Sequence, residues 1–192
     1  MNTSITKRVV LIGASTGGPR QIEKILSELK VLDETSIVIA QHMAYGFVDS
    51  FAKSLQDKSK NRVSIIHNNT LFESCTVYLC TGMTEVLSKH GSMKFFTKDS
   101  TTHNFNPDIN MIFNSFIPFT QNVKILSVIL TGIGDDGVNA TKELSIRGVR
   151  CITENASSAI VDGMPSRARL LVPNIEVLSL DEIIDEINRF CK

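Results

Sequence analysis

The sequence predicts an α/β fold with three layers: a mostly parallel, doubly wound sheet, a small antiparallel hairpin, and an active site at the carboxyl ends of the strands. Three observations predict it. Short runs rich in β-branched residues recur at 8–12, 35–40, 63–66, 76–80, 123–130 and 149–153, bounded by small or polar residues, as buried strands are. Between several of them apolar residues repeat at helical spacing, as in Ile22, Ile25, Leu26 and Leu29. Strands that alternate with helices build parallel sheets covered on both faces by right-handed crossovers, and ligands of such sheets sit beyond the strand carboxyl ends.

The first unit is a strand from Arg8 to Ile12, a turn at Gly13-Ala14-Ser15-Thr16-Gly17-Gly18, and a helix. The run 35–40 ends at Gln41-His42-Met43, and Phe47, Val48, Phe51, Ala52 and Leu55 then form a helical stripe. Residues 63–66 and 76–80 are the next strands, and 86–89 and 93–97 form a hairpin joined through His90-Gly91-Ser92. Asn106-Pro107-Asp108 reads as an N-cap, a proline at the first helical position and an acid near the positive helix end, opening a helix through Ile109, Ile112, Phe113 and Phe116. The run 123–130 leads into Thr131-Gly132-Ile133-Gly134-Asp135-Asp136-Gly137 and a helix through Ala140, Leu144 and Ile146, and 149–153 is a late strand. Ser179 and Glu182 have capping-box spacing for a terminal helix.

Composition narrows the function classes. The 192 residues are 42% hydrophobic and 21% charged, which suits one soluble domain over 1–192. Twenty basic residues balance twenty acidic ones, which argues against a nucleic-acid footprint or an anionic membrane surface. No stretch approaches the ~20 apolar residues of a membrane span or has the build of a signal peptide, so a cytoplasmic location is expected without membrane insertion. Cys75, Cys80, Cys151 and Cys191 form no C-x-x-C pair and suit reduced thiols. His42, His67, His90 and His103 lack metal-ligand spacing, so no metal or cofactor is expected.

The first turn supports competing chemistries. Gly13-Ala14-Ser15-Thr16-Gly17 fits Gly-x-Ser-x-Gly, a nucleophile elbow in the strand-turn-helix context it requires. The plainest reading makes Ser15 a helix N-cap. A phosphate cradle has its glycines at Gly13 and Gly18, but Pro19 stands where a lysine is needed. A dinucleotide fingerprint fails because Ser15 occupies the position of its middle glycine. The strand-end rule gathers Ser15, Gln41, His42, Asp135 and Asp136 on one rim, where a hydroxyl, an imidazole and a carboxylate can combine as nucleophile, base and orienting acid. Spacing does not choose between Asp135 and Asp136.

These residues carry a resemblance. The segments Ile12-Gly13-Ala14-Ser15-Thr16-Gly17-Gly18-Pro19, Gln41-His42-Met43 with Gly46-Phe47 and Ser50-Phe51-Ala52, Leu130-Thr131-Gly132-Ile133-Gly134-Asp135-Asp136-Gly137 and Gly163-Met164-Pro165 resemble the catalytic domain of the CheB-type protein-glutamate methylesterases of bacterial chemotaxis. The resemblance implies Ser15 as nucleophile, His42 as general base and acid, and Asp136 as the group orienting His42. It implies hydrolysis of glutamate γ-methyl esters, and often glutamine deamidation, on methyl-accepting chemotaxis receptors. The backbone N–H groups of Thr16 and Ile133 are the expected oxyanion donors, Ile133 standing where the family usually has Met. Asn110 replaces an acidic residue frequent in the family.

The family commonly carries an N-terminal receiver domain. None is expected in residues 1–192, which leaves control by trans-acting chemotaxis regulators or constitutive activity. A receptor helix is a convex rod, so a shallow, open cleft is expected, with Tyr45 or Phe47 on its rim. The alternatives are a nucleotide- or phosphate-binding module and a non-catalytic receptor-array adaptor.

Overall fold

The computed structural model describes residues 6–89, 92–98 and 106–192. Seven strands, β1 (Arg8–Ala14), β2 (Thr35–Gln41), β3 (Arg62–Ile65), β5 (Thr76–Leu79), β8 (Lys124–Ile129), β9 (Arg150–Glu154) and β10 (Glu176–Leu178), form one sheet in the order β10-β9-β8-β1-β2-β5-β3, every neighbouring pair parallel. A second, antiparallel sheet holds β4 (Thr70–Leu71), β7 (Ser92–Lys98) and β6 (Met83–Lys89) in that order. The expected hairpin is therefore two longer strands plus a short third one. Its connection at His90 and Gly91, together with His103, lies outside the described residues.

β1 is central because nearly all of it is buried, and its side chains alternate between two cores. Val10, Ile12 and Ala14 pack with β2, β5, β8 and β9 residues against α1 (Gly18–Glu28), α2 (Val48–Lys58) and α6 (Leu180–Phe190). Val9 and Leu11 face α3 (Ile109–Ser115), α4 (Val138–Ile146), α5 (Gly163–Leu171) and the small sheet. A strand covered on both faces can afford no polar side chain in its middle, hence the unbroken apolar run.

Several local expectations are corrected. The α3 N-cap is Asp108, whose carboxylate accepts the Met111 N–H at 2.7 Å, so Asn106 and Pro107 lie before the helix. Phe47 sits in a 3₁₀ turn (Tyr45–Phe47) and is exposed, outside the apolar stripe of α2. Ile146 is exposed as well, and α4 buries Val138, Ala140, Thr141 and Leu144 instead. The capping box at Ser179 and Glu182 forms as the spacing predicts. No helix among the described residues is long and apolar enough to cross a membrane.

Candidate active site

β1 lies between β2 and β8, so the loops leaving these three strands share one rim, at the point where strand order switches direction. Register does the alignment. Ala14 pairs with Gln41, which puts Ser15 level with His42, and the ladder continues as the His42 N–H donates to Ala14 O at 3.0 Å. On the other side the Ser15 N–H donates to Thr131 O at 3.0 Å.

The three side chains meet. His42 Nδ1 stands 3.3 Å from Ser15 Oγ, and His42 Nε2 stands 2.7 Å from Asp136 Oδ2. Turning the ring over would put carbon atoms against both oxygens, so the geometry fixes which nitrogen faces which group. A carboxylate only accepts, so Asp136 selects the Nε2–H tautomer and leaves the Nδ1 lone pair facing the serine hydroxyl. The 3.3 Å separation is at the long end of hydrogen bonding, a range common before substrate draws such groups together.

Asp136 is held as firmly as it holds the imidazole. Its Oδ2 also accepts the Ile109 N–H at 2.8 Å, and Oδ1 accepts the Asn110 N–H at 3.0 Å. The carboxylate thus rests on the N-terminus of α3, where unsatisfied N–H groups favour an anion. The close approach requires Gly137: at φ 85°, a Cβ there would stand 2.5 Å from Ile109 Cγ2. Asn110 Oδ1 in turn accepts the Ala140 N–H at 2.9 Å and ties α3 to α4. Asp135, which spacing left as an equal candidate, is exposed, whereas Asp136 is buried.

Ser15 is not a helix cap. The N-cap of α1 is Gly17, at φ 86°, with no side-chain cap bond. A phosphate cradle is disfavoured too, because the Gly18 N–H is taken by Ser15 O at 2.8 Å and Pro19 has none to offer. Thr16 and Ile133 differ: neither N–H has an acceptor among the described residues. The Ile133 loop lies against the serine, since a Cβ on Gly132 would stand 2.8 Å from Ser15 Cβ.

Sequence reasoning missed a supporting network. Thr131 Oγ1 donates to Thr16 O at 2.9 Å and accepts the Val161 N–H at 2.8 Å. The Thr131 N–H donates to Glu154 Oε2 at 3.0 Å, and Glu154 Oε1 accepts from Gln21 Nε2 at 2.7 Å and Ser158 Oγ at 2.8 Å. Burial pushes the Glu154 carboxyl above the usual carboxylate range, against the opposing pull of those donors. An acid ending the apolar strand Cys151-Ile152-Thr153-Glu154 was the available signal, since such positions reach the rim.

The other chemistry-bearing groups are quiet. All four cysteines are free; burial pushes the Cys151 and Cys191 thiols up to about 12 and Cys80 higher still, which makes these three poor nucleophiles. Among the described residues no group of three or more His, Cys, Asp or Glu could hold a metal ion. Large apolar side chains are exposed nearby in the fold or the sequence: Ile133 and Ile160 in the segments beside the Ser15 turn, and Tyr45 and Phe47 in the turn that follows His42, are 54–68% exposed.

The chain is similar to known proteins in sequence and in fold. The chain matches the family model described as CheB methylesterase over residues 10–187. It is 32% identical over 193 residues to a protein-glutamate methylesterase/protein-glutamine glutaminase of Methanosarcina barkeri, covering 96% of this chain and 52% of the relative. A relative from Methanosarcina mazei bearing the same name with the number 2 is 31% identical, covering 94% and 51%. The chain thus spans about half the length of the curated relatives it matches. The crystal structure of the Thermotoga maritima CheB methylesterase catalytic domain superposes with a TM-score of 0.85 at 26% identity, covering 96% of this chain and 99% of that one. The chain belongs to the CheB methylesterase family.

Proposed function

We propose that this chain is a serine esterase that removes methyl groups from glutamate γ-methyl esters on chemoreceptor helices. The observation that carries the reading is the continuous hydroxyl–imidazole–carboxylate relay from Ser15 through His42 to Asp136. Ser15 Oγ attacks the ester carbonyl while His42 Nδ1 takes its proton, and Asp136 steadies the imidazolium through Nε2–H. Negative charge develops on the carbonyl oxygen, and the Thr16 and Ile133 N–H groups are the donors available to it. His42 then protonates departing methanol, leaving an acyl-serine. Water attacks that ester with His42 again as base, releasing glutamate and restoring Ser15. A glutamine side chain follows the same course with ammonia leaving, consistent with the paired activities in the relatives' names.

The substrate side rests on the exposed rim. Exposed Ile133 and Ile160 beside a half-buried serine, with exposed Tyr45 and Phe47 following His42, suit the convex face of a helix better than a small molecule drawn into a deep pocket. The test is methanol release from a methylated receptor fragment. The wild-type chain should release methanol and Ser15→Ala should not, whereas equal release by both would contradict the reading. An adaptor that has lost turnover would bind the fragment and release nothing.

A further inference from the structure

The relay is anchored by a side chain outside it. Gln41, the last residue of β2, is buried, and its Nε2 donates to two backbone carbonyls: Ser15 O at 2.9 Å and His42 O at 2.8 Å. A primary amide has two diverging hydrogens, one for each acceptor, so a single group bridges the peptides that carry the hydroxyl and the imidazole. The opposite amide orientation would press Oε1 onto two carbonyl oxygens, so chemistry fixes the one seen.

That orientation leaves Oε1 buried with no partner among the described residues. It lies against α1 where Gly18 leaves room, since a Cβ on Gly18 would stand 1.9 Å from it. A buried acceptor without a donor destabilises a fold, and an apolar side chain of the same length would avoid it. The compensating gain is positional: the ladder bond from the His42 N–H to Ala14 O holds the two strands together, and the Gln41 amide adds a tie between the Ser15 and His42 peptides themselves. From this arrangement we infer that Gln41 is a positioning residue for the Ser15–His42 proton transfer, clamping both peptides in one frame.

The inference rests on the proposed esterase reading, and its test separates the two. Methanol release and phosphonate labelling of Ser15 are measured for wild type, Gln41→Met, which keeps length without donors, and Gln41→Glu, which keeps shape. Thermal melting is followed alongside. Misplacement on the ångström scale costs on the order of 10²-fold in rate. Gln41→Met should therefore remain folded, lose about that much kcat, and keep KM within about a factor of two, because substrate contacts are untouched.

Gln41→Glu should be slower than wild type, with a deficit that shrinks as pH falls, since a protonated carboxyl regains one hydrogen to donate. If Gln41→Met folds poorly, this pH-dependent ratio carries the test, because a packing defect would not follow it. Wild-type kcat in Gln41→Met, or a Gln41→Glu deficit that is flat with pH, overturns the assignment. A wild-type chain that neither labels nor releases methanol sinks the esterase reading itself, and the positioning role with it.

Discussion

Ser15 and Ser179 both stand at the start of a helix, and the molecule uses them in opposite ways. Ser179 is absorbed by local structure: its N–H and Oγ–H both donate to Glu182 Oε2 at 2.7 Å, and its Oγ accepts the Glu182 N–H. Ser15 lies two residues before the cap of α1, and its hydroxyl makes no bond to that helix, meeting His42 instead. Other helix starts at the rim also leave N–H groups or caps open. There, α1 and α4 begin at Gly17 and Gly137 without side-chain caps, and α3, although Asp108 caps its Met111 N–H, gives its Ile109 and Asn110 N–H groups to the Asp136 carboxylate. Away from the relay, α6 is sealed by its own sequence. A hydroxyl engaged by its own helix is unavailable for chemistry, and a helix start left open can serve a charge brought from elsewhere.

Substitutions that exchange rate for stability sharpen this contrast. Ser15→Ala should lower methanol release by up to about 10⁶-fold, the scale seen when a triad serine is removed, non-additively with His42→Gln. Because that hydroxyl caps nothing, its urea midpoint should correspond to a change within about 0.5 kcal/mol of wild type. Asp136→Asn should lower the rate about 10⁴-fold by favouring the wrong imidazole tautomer. Unlike Ser15→Ala it should also destabilise by about 1–3 kcal/mol, since an amide NH₂ would face the N–H donors of α3.

Glu154→Gln probes the network behind the Ser15 turn and carries a pH signature. The folded carboxyl titrates above its unfolded value, so the unfolded state loses its proton first, and the wild type loses stability as pH rises from the ordinary carboxylate range toward the raised folded value. The variant lacks this slope. The stability of the wild type relative to the variant, read from urea midpoints, should therefore fall as pH rises through this range; a wild type that gains on the variant with rising pH would contradict the assignment. Ser179→Ala, the smallest change, should cost about 1 kcal/mol of stability and leave methanol release unaltered.

How much of this was legible in the sequence follows the same line between local and distant causes. Strands β1, β2 and β8 were readable because burial on both faces demands continuous apolar runs, and the α6 cap because both partners lie three residues apart. Helix α5 and strand β10 were not foreseen: Gly163 and Pro165 look like turn residues, and three strand residues are too few for a period. The α3 start was misplaced by two residues because Asn106-Pro107 imitates a cap-and-proline signal that Asp108 in fact supplies. At the site, the strand-end rule gathered Ser15, Gln41 and His42, but local patterning could not choose Asp136 over Asp135. That choice depends on which carboxylate meets the N-terminus of α3, a contact across 26 to 27 residues. The bonds of Glu154 and Thr131 were unreadable for the same reason, although the acid at the end of its strand was itself a signal.

Peptide mapping by mass spectrometry after treatment with a serine-directed phosphonate tests the central claim most directly. A single adduct on Ser15, formed by the wild type and lost in His42→Gln, is the predicted result. An adduct on any other residue, or equal labelling of Ser15 when His42 is replaced, would contradict it.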